Sequence, residues 1–244
     1  MIKFFRSIRQ KLIDEGNLKN YLIYAIGEIF LVMIGILLAL QVNIWNQNRI
    51  NEKKEQKVLS DLYEEFTLNK QRIEEKQNLR ISAAPKLKDY LDSMLEGNAS
   101  YNSFREFHRE RYEFGMTNPS NGVVDALISS GEIALISNDS LKYLIADWND
   151  QAGNLLENEQ ILWEVTLNYN SIYQKLILSP KQVWKDWDSN NYEIAFSKLS
   201  SDLEYRNKLV GYEGAQRIVI ALCNKILESI SNTLKLIEKE LNRK

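Results

Sequence analysis

The stretch that most constrains this chain runs from Tyr21 to Trp45, YLIYAIGEIFLVMIGILLALQVNIW, with Glu28 as its one charge. A helix of about 20 mostly apolar residues rises roughly 30 Å, the hydrocarbon thickness of a bilayer. A single transmembrane helix over residues 20–45 is therefore expected. A cleaved signal peptide is the competing reading, but its apolar region spans only about 7–15 residues and ends at small residues. Here the run ends in Gln41-Val42-Asn43-Ile44-Trp45. The rest divides into a basic amphipathic segment (1–19), a polar stalk (46–57) and a large body (58–244).

In the first segment Ile2, Phe5, Ile8 and Leu12 share one helical face and Lys3, Arg6 and Gln10 the other, the pattern of a short helix on an anionic membrane surface. Lys3, Arg6, Arg9, Lys11 and Lys19 precede the apolar run, and Arg49, Lys53, Lys54 and Lys57 follow it. The positive-inside rule thus leans toward a cytoplasmic N-terminus, and a large C-terminal body translocates largely regardless of its charge.

The body is long enough for one core. Lys+Arg number 31 against Asp+Glu 33, a near balance that gives no electrostatic footprint for nucleic acid. Cys223 is the sole cysteine and His108 the sole histidine, so an intrachain disulfide is impossible and a Cys/His metal site is not expected. With only 10 Gly and 3 Pro among 244 residues, turn signals are too sparse for a β-rich fold. The expected fold is all-α: a single N-terminal transmembrane helix followed by an elongated antiparallel helical bundle.

Along the body, NQNRINEKKEQK (residues 46–57) lacks Gly and Pro, so the membrane helix is expected to run on as a solvated stalk. Val58, Leu59, Leu62, Phe66, Ile73 and Ile81 then mark an amphipathic helix, with Pro85 as a boundary before a short helix to Leu95. Gly115 to Asn121 (GMTNPSN) is the clearest loop. Asn121 is placed to cap a helix that ends at Gly131, and Ser137-Asn138-Asp139 offers the next N-cap. Leu141, Leu144, Trp148, Leu155, Leu162, Val165, Tyr169, Ile172 and Leu176 keep roughly heptad spacing up to Ser179-Pro180, and Trp184 and Trp187 mark a second loop region. Ile220, Cys223, Leu227, Ile230, Leu234, Ile237 and Leu241 form the cleanest coiled-coil stripe, in which Cys223 is expected as a buried thiol rather than a nucleophile.

The candidate site residues lie in the apolar run. At 100° per residue Tyr21, Glu28, Gly35, Ala39 and Asn46 fall on one stripe, polar and small where the remainder is Leu, Ile, Val, Phe and Met. An ionised acid in a spanning helix costs a few kcal/mol, so Glu28 is expected to face a partner or water. Gly35 and Ala39 form a small-xxx-small pair that lets helix backbones approach closely. Together they predict an intramembrane association face. Glu28 reads as protonated and bonded to a neighbouring helix's backbone or to Tyr24, in preference to a proton relay. No catalytic residue, metal ligand or cofactor site is expected: there is no nucleophile elbow or phosphate loop, and Gly211-Tyr212-Glu213-Gly214 is too short to count. His108 reads as a packed or surface histidine rather than a ligand or base, and Trp148, Trp163, Trp184 and Trp187 as core and bundle-end residues rather than a ligand cage, the last two placed where a loop could expose them.

The opening MIKFFRSIRQKL with YAIGEIFLVMIGILLALQVNIWN, and LISSGEIALISNDSL further on, resembles a family of uncharacterised single-pass membrane proteins common in Bacteroidota, known only as a domain of unknown function. The resemblance implies an inner-membrane anchor with a helical body in the periplasm, and it implies no activity. Taken together, the residues predict a non-enzymatic, self-associating binding or scaffold protein in an envelope assembly. Its expected partners are membrane lipid and copies of itself or a larger membrane complex, without nucleic acid. Two alternatives stand beside it: an ion-coupled membrane component with Glu28 as its protonatable group, and a ligand sensor that signals through a partner.

Overall fold

The structure is a computed structural model, and it describes residues 18–110, 115–177 and 189–243. Those residues are almost all helical and contain no strand. The expected surface helix at the N-terminus and the loop carrying Trp184 and Trp187 lie outside them. The helices are α1 (Leu18–Leu95), α2 (Tyr101–Glu110), α3 (Gly122–Ser130), α4 (Asp139–Ile177), α5 (Ser189–Leu199) and α6 (Leu203–Leu241), with a 3-10 turn at Glu132–Leu135. The chain divides into two compact units, residues 1–56 and 57–244.

Helix α1 has 78 residues and continues through Pro85, where the sequence predicts a break. A proline inside a helix costs about 3 kcal/mol because it withholds an N–H and crowds the preceding turn. Here Ala83, Leu87, Tyr90 and Leu91, on either side of it, are all buried in the core, and that packing outweighs the local penalty. Gly153 likewise fails to interrupt α4.

The second unit is built on three long segments: residues 57–95 of α1, α4 and α6. Tyr63 donates to Glu238 at 2.9 Å and Gln77 to Asn224 at 2.5 Å, so α6 runs antiparallel to α1. Asn138 bonds Glu240 at one end of α4 and Tyr169 packs on Tyr205 at the other, so α6 is antiparallel to α4 as well. Phe66 meets Trp148 edge-on at 4.9 Å, and further along both helices Arg80 meets Glu159. Helices α1 and α4 are therefore parallel to each other, an arrangement that the intervening α2, α3 and 3-10 turn make possible by carrying the chain back.

The sequence stripe on α6 has the right period and a partly shifted phase. Cys223, Ile230 and Ile237 are buried as expected, but the other positions at the centre of the seam are Val219, Ile226 and Thr233. Leu227, Leu234 and Leu241 lie one residue to the side, partly buried against the core. A helix that packs on two neighbours buries a face wider than a two-stranded seam, so both sets contribute. On α1, Val58, Leu59, Leu62, Phe66 and Ile73 are buried as predicted, whereas Ile81 is 48% exposed. On α4, Trp148 is in the core and Trp163 is 50% exposed, against the expectation of a packed residue.

The short helices close one side and one end. Asn138 caps α4, accepting from Leu141 N at 3.1 Å, as the sequence predicts. Gly131 ends α3 in the left-handed region at φ 74°, where an L side chain is strained. Asn121 precedes α3 but makes no side-chain cap bond; a residue from α1 takes that role.

Candidate functional site

In the first unit, every side chain described from Leu22 to Trp45 is exposed or half-buried. Among the described residues this is the one helix long and apolar enough to cross a membrane. Of the predicted stripe, Glu28 is half-buried, and Ala39 is exposed. A Cβ added at Gly35 would meet nothing within 4 Å. Asn46 accepts from Arg49 at 3.3 Å, and that guanidinium stands 5.7 Å over the Trp45 ring. The Tyr21 side chain lies outside the described residues. The Tyr24 hydroxyl makes no hydrogen bond among the described residues.

The second unit holds a constellation that the sequence reading missed: buried polar residues that fasten the loop Gly115–Asn121 to the bundle. Arg80 on α1 and Glu159 on α4 are 2% and 1% exposed at their side chains and pair at 2.5 Å. The second carboxylate oxygen of Glu159 accepts from the N–H and the hydroxyl of Thr117, each at 2.9 Å. The Arg80 guanidinium also donates to the Gly115 carbonyl at 3.2 Å. About three turns further back on α1, the Asn69 side chain donates to the Ser120 carbonyl and accepts from the Ser120 N–H, both at 2.7 Å. Glu65 takes the Ser120 hydroxyl at 2.7 Å and the N–H groups of Val123 and Val124 at 3.1 and 3.3 Å. Its carboxylate is thus the missing cap of α3, set at a helix N-terminus where negative charge is favoured.

The physical logic is compensation. A buried carboxylate or guanidinium is tolerated only when paired and hydrogen-bonded, and Glu159 has both oxygens engaged. Asn118, inside the loop, takes φ 42°, a left-handed conformation that asparagine accepts more readily than most residues. Side chains from two helices thus hold one loop by at least three of its residues, and Asn149 on α4 adds a bond to Asp125 on α3 at 2.7 Å.

Cys223 lies 3.7 Å from the Arg80 guanidinium. Burial pushes its thiol up to about 11, against the pull of that guanidinium toward the thiolate. A thiol so protonated is a poor nucleophile, in keeping with the packed role expected of it.

His108 sits in an aromatic cluster at the α2 end of the bundle, 3% exposed, with Phe104 at 4.0 Å between ring centroids and Tyr90 at 6.0 Å. Its Nδ1 faces the Phe104 carbonyl at 2.8 Å and must donate there, which leaves Nε2, 2.8 Å from the Tyr205 hydroxyl, to accept in the neutral ring. The histidine is a satisfied core residue. Among the described residues no three His, Cys, Asp or Glu side chains converge as metal ligands do.

One signal in the sequence pointed to the polar constellation. In the buried spacing of α4, Trp148, Ala152, Leu155, Glu159 and Leu162, the acid occupies a core slot. Arg80 occupies one too, between Ile73 and Leu87 on α1.

A family model described as a family of unknown function, DUF6090, matches residues 28–196. The chain belongs to this family. The match takes in the apolar run from Glu28 onward, the pinned loop and the Arg80–Glu159 pair. No curated protein and no solved structure matches.

Proposed function

We propose that this DUF6090 member is a membrane-anchored binding or scaffold protein whose anchors self-associate and whose helical domain is presented on the periplasmic side of the inner membrane. The carrying observation is a contrast within one helix. From Leu22 to Trp45 α1 exposes Leu, Ile, Val, Phe and Met almost without interruption, while from Val58 onward its apolar stripe is closed inside a core. Exposed apolar surface of that extent is stable in lipid, not in water. In the second unit Glu65, Arg80 and Glu159 are engaged in pinning a loop to the bundle, an arrangement suited to binding rather than to catalysis. The basic residues ahead of the anchor support a cytoplasmic N-terminus. A C-terminal fusion to a phosphatase that folds only in the periplasm is expected to be active, and the same position fused to a reporter active only in the cytoplasm to be silent. The reverse pattern overturns the orientation.

Self-association is tested at Gly35. Because open space surrounds its missing Cβ, Gly35→Ile disturbs nothing within one chain. Between chains, the added bulk separates backbones that approach through Gly35 and Ala39. The mass of the detergent-extracted particle is expected to fall to the monomer in Gly35→Ile and to stay unchanged in Leu37→Ile. A wild-type particle that is monomeric at every concentration refutes the reading.

A further inference from the structure

Between α1 and α6 an open groove of about 440 Å³ is floored by Ile81, Ala84, Pro85 and Ile220. Its rim carries Lys88 and Asp89 on one wall, Glu213 and Arg217 on the other. We infer that this groove is a second contact between copies of the chain, taken up by the same α1–α6 face of a second copy across a two-fold axis running along the bundle. The inference rests on the self-association reading and locates a contact in the second unit.

Three features favour a second copy over a partner of other chemistry. First, the patch carries two bases and two acids, so it repels neither an identical face nor itself, whereas a nucleic acid or an anionic lipid surface gains nothing from it. Second, the register is self-complementary. The Gln77–Asn224 bond between antiparallel helices puts Ala84 level with Arg217 and Lys88 level with Glu213. A two-fold axis along the bundle preserves those levels and keeps the two Lys57 ends together, so α6 of one copy brings Arg217 beside Ala84 of the other, while Lys88 stays held by Asp92 of its own chain at 2.6 Å. Third, Pro85 has no N–H to give the Ile81 carbonyl, which leaves a backbone acceptor at the groove floor without its usual donor. Arg217 makes no ion pair among the described residues, and the guanidinium of a second copy arrives at that level with donors to spare. Exposed Ile81, 48%, would be covered in the same step.

The experiment uses the full chain in detergent with Cys223→Ser as background and a short bis-maleimide as the probe. Ile81→Cys is expected to cross-link to a dimer of the chain, and Tyr143→Cys, 70% exposed on α4, to remain uncross-linked. Ile81→Asp is expected to raise the concentration at which the particle dissociates by about tenfold, the worth of one buried apolar side chain, with an unchanged helical signal. Equal cross-linking of the two cysteines, or a cross-link from Ile81→Cys to a different protein, overturns the groove as a contact between copies while an oligomeric wild type leaves the anchor reading standing. A monomeric wild type removes both.

Discussion

Glu159→Ala is expected to destabilise the protein by about 3–5 kcal/mol, because it leaves Arg80 charged and buried with no carboxylate beside it. At 2% exposure the guanidinium cannot reach water without opening the bundle. Its remaining acceptors nearby, the Gly115 carbonyl and the Cys223 thiol, are neutral. The Thr117 N–H and hydroxyl lose their acceptor in the same step, so the loop Gly115–Asn121 is released along with the pair. For a body of this size the loss corresponds to roughly 6–20 °C in Tm, read by thermal or urea unfolding. The double variant Arg80→Met with Glu159→Leu should recover most of it, since apolar replacements of similar volume often match a buried ion pair. Loop order then separates from stability: in the double variant amide exchange at Thr117 should be fast although the midpoint is restored. A Glu159→Ala protein that unfolds within 1 kcal/mol or so of wild type would show that water reaches Arg80.

What the sequence made legible follows from the range of the signals. The apolar run and the long helices are local: hydrophobic period, sparse Gly and Pro, and the cap at Asn138 suffice, and each appears in the structure. The break expected at Pro85 fails for the opposite reason. Propensity sees one residue, while the cover that buries Ala83, Leu87, Tyr90 and Leu91 and so holds the helix together is supplied by other elements. Glu65 shows the same limit at a cap. Asn121 is the obvious candidate by position, yet the carboxylate that takes the α3 N–H groups comes from more than fifty residues away on α1. The Arg80–Glu159 pair was half legible. Each residue interrupts an apolar stripe at a core slot, a sign of a buried charge, but only the parallel packing of α1 and α4 brings the two together. The association face proposed through Tyr21, Glu28, Gly35, Ala39 and Asn46 concerns contacts between molecules, on which the geometry of one chain bears only by leaving Gly35 and Ala39 open.

Ile230→Asp against Asn232→Asp reads the seam of α6 at two positions two residues apart. Ile230 is 0% exposed at the centre of the seam that faces α1 and α4, while Asn232 faces solvent. The first substitution removes a buried side chain worth about 2–5 kcal/mol once the cavity is counted, and it adds a carboxyl group with no hydrogen-bond partner, a further 1–3 kcal/mol or so. Against a typical stability of about 5–15 kcal/mol, that sum leaves the domain marginal or unfolded at 25 °C. The second substitution exchanges one solvated polar group for another and should stay within about 0.5 kcal/mol. Acidity gives a second reading of the same variant. Burial disfavours the charged carboxylate, so the new acid has a folded pKa above its unfolded value of about 3.9. The penalty relative to wild type is then smallest below that unfolded value and grows as pH rises toward the folded one, so Ile230→Asp should recover part of its stability between pH 7 and pH 4. Asn232→Asp should show no such recovery. Equal midpoints for the two variants, or a pH-independent gap between them, would mean that residue 230 does not face the core and that the three-helix packing is wrong at that level.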